Sequence, residues 1–309
     1  AVRGTLGSYP DKKHMVTSRV EHPAVLNLVR HLNKNGYDAT ELTVDRKGRL
    51  ALADLEQSLT DGTAIVSIMY ANNETGVIFP IEEMGQMVKS RGAVFHTDAV
   101  QAVGKIPLDM KKSTIDLLSL SGHKLHAPKG IGALYIRKGT KLTPFIIGGH
   151  QERGRRAGTE NVPYIIGLGK AAELARLHMN DENTRVKALR DRLEAELIQR
   201  CPDVQVNGDH NHRLPNTTNI SFEYVEGESI LLLLSAQGIA ASSGSACTSG
   251  SLEPSHVLRA MGVPFTYVHG SLRLSLSIYN TDEDIDFTIA TLPSIIKRLR
   301  EISPFGRSR

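Results

Sequence analysis

The chain has 309 residues, 40% hydrophobic and 23% charged, with 37 basic against 33 acidic side chains. That composition belongs to a globular protein with room for two domains of about 100–200 residues each. A net charge of +4, no Trp and only 5% aromatic residues argue against a nucleic-acid surface, and no apolar run approaches the roughly 20 residues of a membrane span.

The chain opens at Ala1 without a Met and without the charged-then-apolar layout of a leader. Its first residues read as the inside or end of a helix, as in a chain whose first segment is missing. Residues 14–20 read as a strand, and 23–35 as a helix with Pro23 in its first turn. The run TAIVSIMYA at 63–71 has the near-continuous apolar character of a strand buried on both faces. Residues 81–90 have helical spacing, stopped by Gly92. Short buried strands follow at 93–97, 117–121 and 131–136. Strand and helix in alternation predict an α/β fold with a parallel sheet covered on both faces.

From residue 183 the pattern changes. A charged amphipathic helix at 183–198 is followed by an alternating strand at 218–224 and a buried helix at 229–237. The sequence SLRLSLS at 271–277 alternates as a half-exposed strand does, and 282–300 reads as a last amphipathic helix. The expectation is a large domain at 1–182 and a smaller α+β domain at 183–309.

Two cysteines, Cys201 and Cys247, make neither a disulfide framework nor a zinc set. That usage suits a reducing, cytoplasmic compartment in which a thiol stays free to react. Cys201, beside Pro202 at a helix end, reads as structural. Cys247 sits in SSGSACTSGS, among small residues that leave a thiol accessible.

Other chemistry-bearing residues lie at strand ends. Asp98, in HTDAVQ, leaves a buried strand; it reads either as a helix cap or as a carboxylate holding a pyridine nitrogen protonated. Lys124, in SGHKLHAPKG, reads either as a loop-edge lysine or as a partly desolvated amine that forms a Schiff base, with Ser121 and His123 available to a phosphate. This run lacks P-loop spacing, and His123 with His126 lacks the acidic companions of a metal site. Arg273, in mid-strand, can offer a planar fork to a carboxylate. His22, at a strand-to-helix turn, offers a flat ring, and the amides of Asn72 and Asn73 suit a phenolic oxygen.

Together VEHPAVL, ANNETG, HTDAVQAVGK, SGHKLHAPKG, GGHQERGRRAGTEN and SSGSACTSGSLEPSH resemble, in order and spacing, the cysteine desulfurases of the NifS type. The resemblance runs from Val20 onward. It implies the type I fold of the pyridoxal-phosphate-dependent transferases and conversion of L-cysteine to L-alanine. By position it makes Lys124 the Schiff-base lysine, Asp98 the partner of the pyridine nitrogen and His22 the ring stacked on the cofactor. Asn73 and Gln101 would bond the phenolic oxygen, with Asn73 also near the substrate. Ser121 and His123 would hold the phosphate, joined by Thr159 from a second subunit of a homodimer. Arg273 would bind the substrate carboxylate, and Cys247 would become the persulfide that passes sulfur to an iron–sulfur scaffold or other acceptor. Family members carry a phosphate-gripping Gly-x-Thr-Glu-Ser block upstream, which would fall before Ala1. Three other readings remain at this point. They are an aminotransferase or selenocysteine lyase of the same fold, a cysteine hydrolase, and a non-catalytic docking partner in iron–sulfur assembly.

Overall fold

The computed structural model describes residues 1–243 and 253–303. They form two compact units. The first comprises Ala1–Thr43, Leu50–Ala71 and Phe79–Met179. Its sheet has six strands, β1 (His14–Ser18), β2 (Asp38–Leu42), β3 (Thr63–Ser67), β4 (Val94–Asp98), β5 (Leu117–Ser121) and β6 (Gly132–Ile136). They lie in the order β2-β1-β3-β4-β5-β6. β1 to β5 are parallel, and β6 returns antiparallel to β5 with Ser119 opposite Leu134.

The apolar run that begins at Thr63 makes β3 a central strand, buried at every position. Flanking helices bury one stripe each. Pro23–Asn33 presents Val25, Leu26, Val29 and Leu32, the spacing of a 3.6-residue period, and its Pro sits in the first turn where a missing N–H costs nothing. Val25, Val29 and Leu32 join Met15, Ile65, Val94 and Leu117 in one core cluster. Each such side chain contributes about 1.5–3 kcal/mol by leaving water.

The strands end earlier than the sequence suggests. β1 stops at Ser18 and β3 at Ser67. Several elements escape the sequence pattern, β2 and the Val162–Leu177 helix among them. β2, DATEL, is an edge strand paired only with β1 and needs no apolar alternation. The Val162–Leu177 helix buries only Ala171, so it presents no core stripe to find.

The second unit holds the described residues from Asn180 onward, together with Val44–Arg49 and Asn72–Ile78. Three antiparallel strands, β7 (Val204–Val206), β8 (Thr217–Phe222) and β9 (Ser271–Ser275), form its sheet. Ile220, Phe222 and Leu272 of this sheet share a core with Leu189, Leu193 and Leu197 of the Lys187–Arg200 helix and with Ile285, Ile289 and Leu292 of the Asp282–Ile302 helix. The helix expected from residue 183 opens as a π turn over Glu182–Val186. Thr281 starts the last helix with a capping box to Asp284. Asn72–Ile78 is held in this unit by backbone bonds from Leu214 N to Gly76 O, 2.9 Å, and from Ile78 N to His212 O, 3.0 Å. That attachment places Asn73 and Glu74 in the same unit as Arg273.

Candidate functional site

Parallel strands deliver their carboxyl ends to one edge of a sheet, where loops form a ligand crevice. In the first unit that edge receives His22 after β1, Asp98 at the end of β4 and Ser121 at the end of β5. A 3₁₀ turn, Gly122–Leu125, then carries His123 and Lys124 and closes on His126 in the left-handed region, φ 62°. Gly122 is required at its start: a Cβ there would lie 2.8 Å from Ile131 Cγ2 and 3.0 Å from the Ile131 carbonyl. Lys124 is half-buried. Ser121 Oγ and His123 Nδ1 are 2.7 Å apart. Burial, then the charges of Lys124 and Lys129, holds the His123 imidazole below its ordinary range, so it is neutral near pH 7.

Asp98 uses one oxygen to accept the Val100 amide at 3.0 Å, capping the turn that carries half-buried Gln101. Both sequence readings of Asp98 are therefore compatible, since a cap uses one oxygen. Burial pushes its carboxyl above the usual range, against the pull of the Val100 amide and the His22 ring. A cation brought to this carboxylate would be strongly held. Two residues earlier, buried His96 spans Ser67 Oγ at 2.8 Å and Ser119 Oγ at 2.9 Å, tying β3, β4 and β5 together just below the edge. His22 caps the Pro23–Asn33 helix, its Nδ1 accepting the Ala24 amide at 3.1 Å; the ring proton therefore sits on Nε2.

In the second unit Arg273 sits mid-strand in β9, half-buried. Its Nη1 donates to the Asn73 carbonyl at 2.8 Å, and its Nε is buried with no hydrogen-bond partner among the described residues. A guanidinium in that state has donors to spare for a carboxylate. The Arg273 backbone pairs with Ser242, its N donating to Ser242 O at 2.6 Å and its O accepting from Ser242 N at 3.2 Å. Asn72 braces its own turn, Oδ1 accepting the amides of Glu74 and Thr75 at 2.9 Å each.

Thr159 is exposed in the first unit and borders an open cleft of about 1120 Å³ lined also by Ser119, Arg153 and Arg156. Cys247 lies outside the described residues. Cys201 is buried at the end of the Lys187–Arg200 helix, and burial pushes its thiol up, as its setting in the sequence suggests for an inert cysteine.

Two acids escape the sequence reading, Glu21 and Glu74. Both are almost fully removed from water. Their only signal is position, each beside a residue already singled out, His22 and Asn73.

The strand-exit residues of the first unit could hold pyridoxal phosphate. A desolvated carboxylate, a flat ring, a half-buried amine and a hydroxyl–imidazole pair match its pyridine nitrogen, ring face, aldehyde and phosphate. Among the described residues no cluster of His, Cys, Asp and Glu suits a metal ion.

The chain matches the family model for class-V aminotransferases over residues 1–287. It is 63% identical to a cysteine desulfurase of Nostoc sp., across 99% of this chain and 76% of that protein. It is 59% identical to the cysteine desulfurase NifS of Azotobacter vinelandii, again across 99% of this chain and 76% of the relative. A solved structure described as a NifS-like protein superposes with a TM-score of 0.90 at 36% identity, covering 96% of this chain and 79% of that one.

Proposed function

We infer that this chain, which belongs to the class-V aminotransferase family, is a cysteine desulfurase that converts L-cysteine to L-alanine and retains the sulfur on Cys247. The observation that carries the reading is the strand-exit set of Asp98, His22, Ser121, His123 and Lys124, in a chain that also supplies Arg273 and a cysteine among small residues.

Pyridoxal phosphate, when bound, supplies the electron sink that a proton leaving the substrate Cα requires. Asp98 would offer its negative charge to the pyridine N–H, whose positive charge would offset the burial that raises the carboxyl. His22 would cover the ring face, Gln101 would bond the phenolic oxygen, and Ser121 with His123 would receive the phosphate; the resemblance adds Asn73 for the phenolic oxygen and Thr159 of a second subunit for the phosphate. Arg273, whose Nη1 donates to the Asn73 carbonyl and whose Nε has no partner among the described residues, would take the substrate carboxylate. Lys124 would anchor the cofactor and then carry the Cα proton on Nζ, taking it and returning it.

The Cys247 thiolate attacks the substrate sulfur. A sulfur–sulfur bond forms as the substrate carbon–sulfur bond breaks, and the carbon fragment keeps the bonding pair and is protonated to alanine. The overall change is L-cysteine plus Cys247–SH to L-alanine plus Cys247–S–SH. Its rate rises with pH until the thiol is fully ionised.

The sulfur acceptor is a scaffold of iron–sulfur assembly, and the NifS-type resemblance points to nitrogenase maturation as the use. A cytoplasmic site suits a free nucleophilic thiol. No helix among the described residues is long and apolar enough to cross a membrane.

The test is alanine released from L-cysteine by the full-length protein with pyridoxal phosphate and a thiol reductant, beside Cys247→Ala and Lys124→Ala. The Cys247 variant should keep the cofactor's visible band and lose sulfur delivery; the Lys124 variant should lose the band. Sulfur delivered at the wild-type rate by Cys247→Ala would overturn the assignment.

A further inference from the structure

Glu21 has no part in the scheme above, yet it is fully buried on the strand-exit edge. Its Oε1 accepts the Ser18 hydroxyl at 2.6 Å and the Met69 amide at 3.0 Å. Ser18 ends β1, and Met69 lies on the continuation of β3. The next residue, Tyr70, donates its own amide to the Asp98 carbonyl at 2.8 Å. One side chain therefore begins a line of bonds that runs from the β1 exit through Met69 and Tyr70 to Asp98. His22 follows Glu21 directly in the chain.

We propose that Glu21 is a positioning residue for the cofactor: as a hydrogen-bonded acid splicing the exits of β1 and β3, it fixes His22 relative to Asp98. The proposal rests on the cofactor site assigned above. The protonation of the pair agrees with it. Burial raises the Glu21 carboxyl to about 8, against the Ser18 and Met69 hydrogen bonds, and the Asp98 charge adds to the rise. The titratable groups acting here are Asp98 from β4 and, through Asp98, His22; the β3 exit contributes the Met69 amide. Two carboxylates on one dry edge cannot both ionise cheaply. The proton stays on Glu21, and the negative charge stays on Asp98, where a pyridine nitrogen needs it.

The experiment compares full-length Glu21→Gln and Glu21→Ala with wild type by pyridoxal-phosphate titration and by the pH midpoint of the cofactor's visible band. Circular dichroism of each cofactor-free form checks folding. Gln keeps a neutral acceptor for both donors, so affinity and midpoint should stay at wild-type values. Ala strands the buried Met69 amide and loosens the turn, so affinity should fall about tenfold and the midpoint should move. A folded Ala variant with unchanged affinity and midpoint overturns the proposal. So does a Gln variant with a displaced midpoint, which decides the matter even where the Ala variant does not fold. Failure of the wild-type protein to bind the cofactor at all would instead remove the site assignment on which the proposal stands.

Discussion

Glu74 accepts the Ser255 hydroxyl at 2.5 Å in the second unit, and its carboxyl is raised to about 7, first by burial, against the pulls of Ser255 and Arg273. In the unfolded chain the same group titrates near 4.5. The native state thus keeps a proton that the unfolded state releases, so this contribution to stability is complete below pH 4.5 and is lost as pH rises through 7. Glu74→Gln lacks the titration. Urea unfolding of the cofactor-free protein should show the variant gaining on wild type from pH 4.5 to 8, by on the order of 3 kcal/mol. A constant gap over that range would mean that Glu74 titrates alike in both states. His96 acts with the opposite sign: burial lowers it to about 3, so its share is lost as pH falls below 6.5. Asp98, Lys124 and Arg273 are legible in the sequence because each interrupts an apolar strand or its exit. Glu21 and Glu74 are not, because an acid in a turn reads as solvent-facing until the fold closes over it.

Among elements, β8 is buried at all six positions although its sequence, TTNISF, is two-thirds polar. A network from the Lys187–Arg200 helix makes this possible. Arg190, 2% exposed, donates to the carbonyls of Leu214 at 3.1 Å and Thr217 at 2.9 Å. Glu194 accepts a bidentate fork from Arg213 at 2.6 and 2.7 Å, and the Thr218 hydroxyl at 2.5 Å. Burial alone would raise the Glu194 carboxyl, but these donors hold it below its usual range. Glu194→Ala leaves the Arg213 charge without its fork and should destabilise the protein by about 3–5 kcal/mol in chemical denaturation. A loss under about 1 kcal/mol would show a pair screened by solvent. The sequence announces the helix but not this role, because Arg190 and Glu194 look like members of its charged face. The β5–Lys124 segment reads correctly for the opposite reason: strand, glycine and turn are local signals. The Val162–Leu177 helix fails that test, since its apolar side chains face outward.

At the scale of the molecule, the outward apolar residues of that helix are joined by others nearby in the chain. In the first unit Ile147 is 89% exposed, Ile166 67% and Phe145 66%. Thr159, assigned to a neighbouring subunit's cofactor, lies between Ile147 and Ile166 in the chain. Exposed aliphatic and aromatic side chains at this density suit an interface, in agreement with the proposed homodimer. Light scattering should report a two-chain particle, and Ile166→Asp should shift it toward single chains with weakened cofactor retention. A single-chain wild type at micromolar concentration would overturn the dimer. The parallel core of the large sheet is legible from the alternation of strand and helix, whereas β2 and the antiparallel course of β6 are not. The attachment of Val44–Arg49 and Asn72–Ile78 to the second unit is not legible either, since it depends on contacts between residues far apart in the chain, the Arg49–Asp209 ion pair at 3.8 Å for the first segment and backbone bonds to His212 and Leu214 for the other.

The pairing of Arg273 with Ser242 has a consequence for reactivity. Cys247 follows Ser242 by five residues (247 − 242), and an extended chain spans about 3.5 Å per residue, so its Cα stays within about 18 Å of Ser242 in any conformation. If Arg273 binds the substrate as proposed, a thiol this close in the chain would meet that substrate as an intramolecular partner rather than as a solute. A thiol arriving from solution would have to compete with that partner to intercept the sulfur.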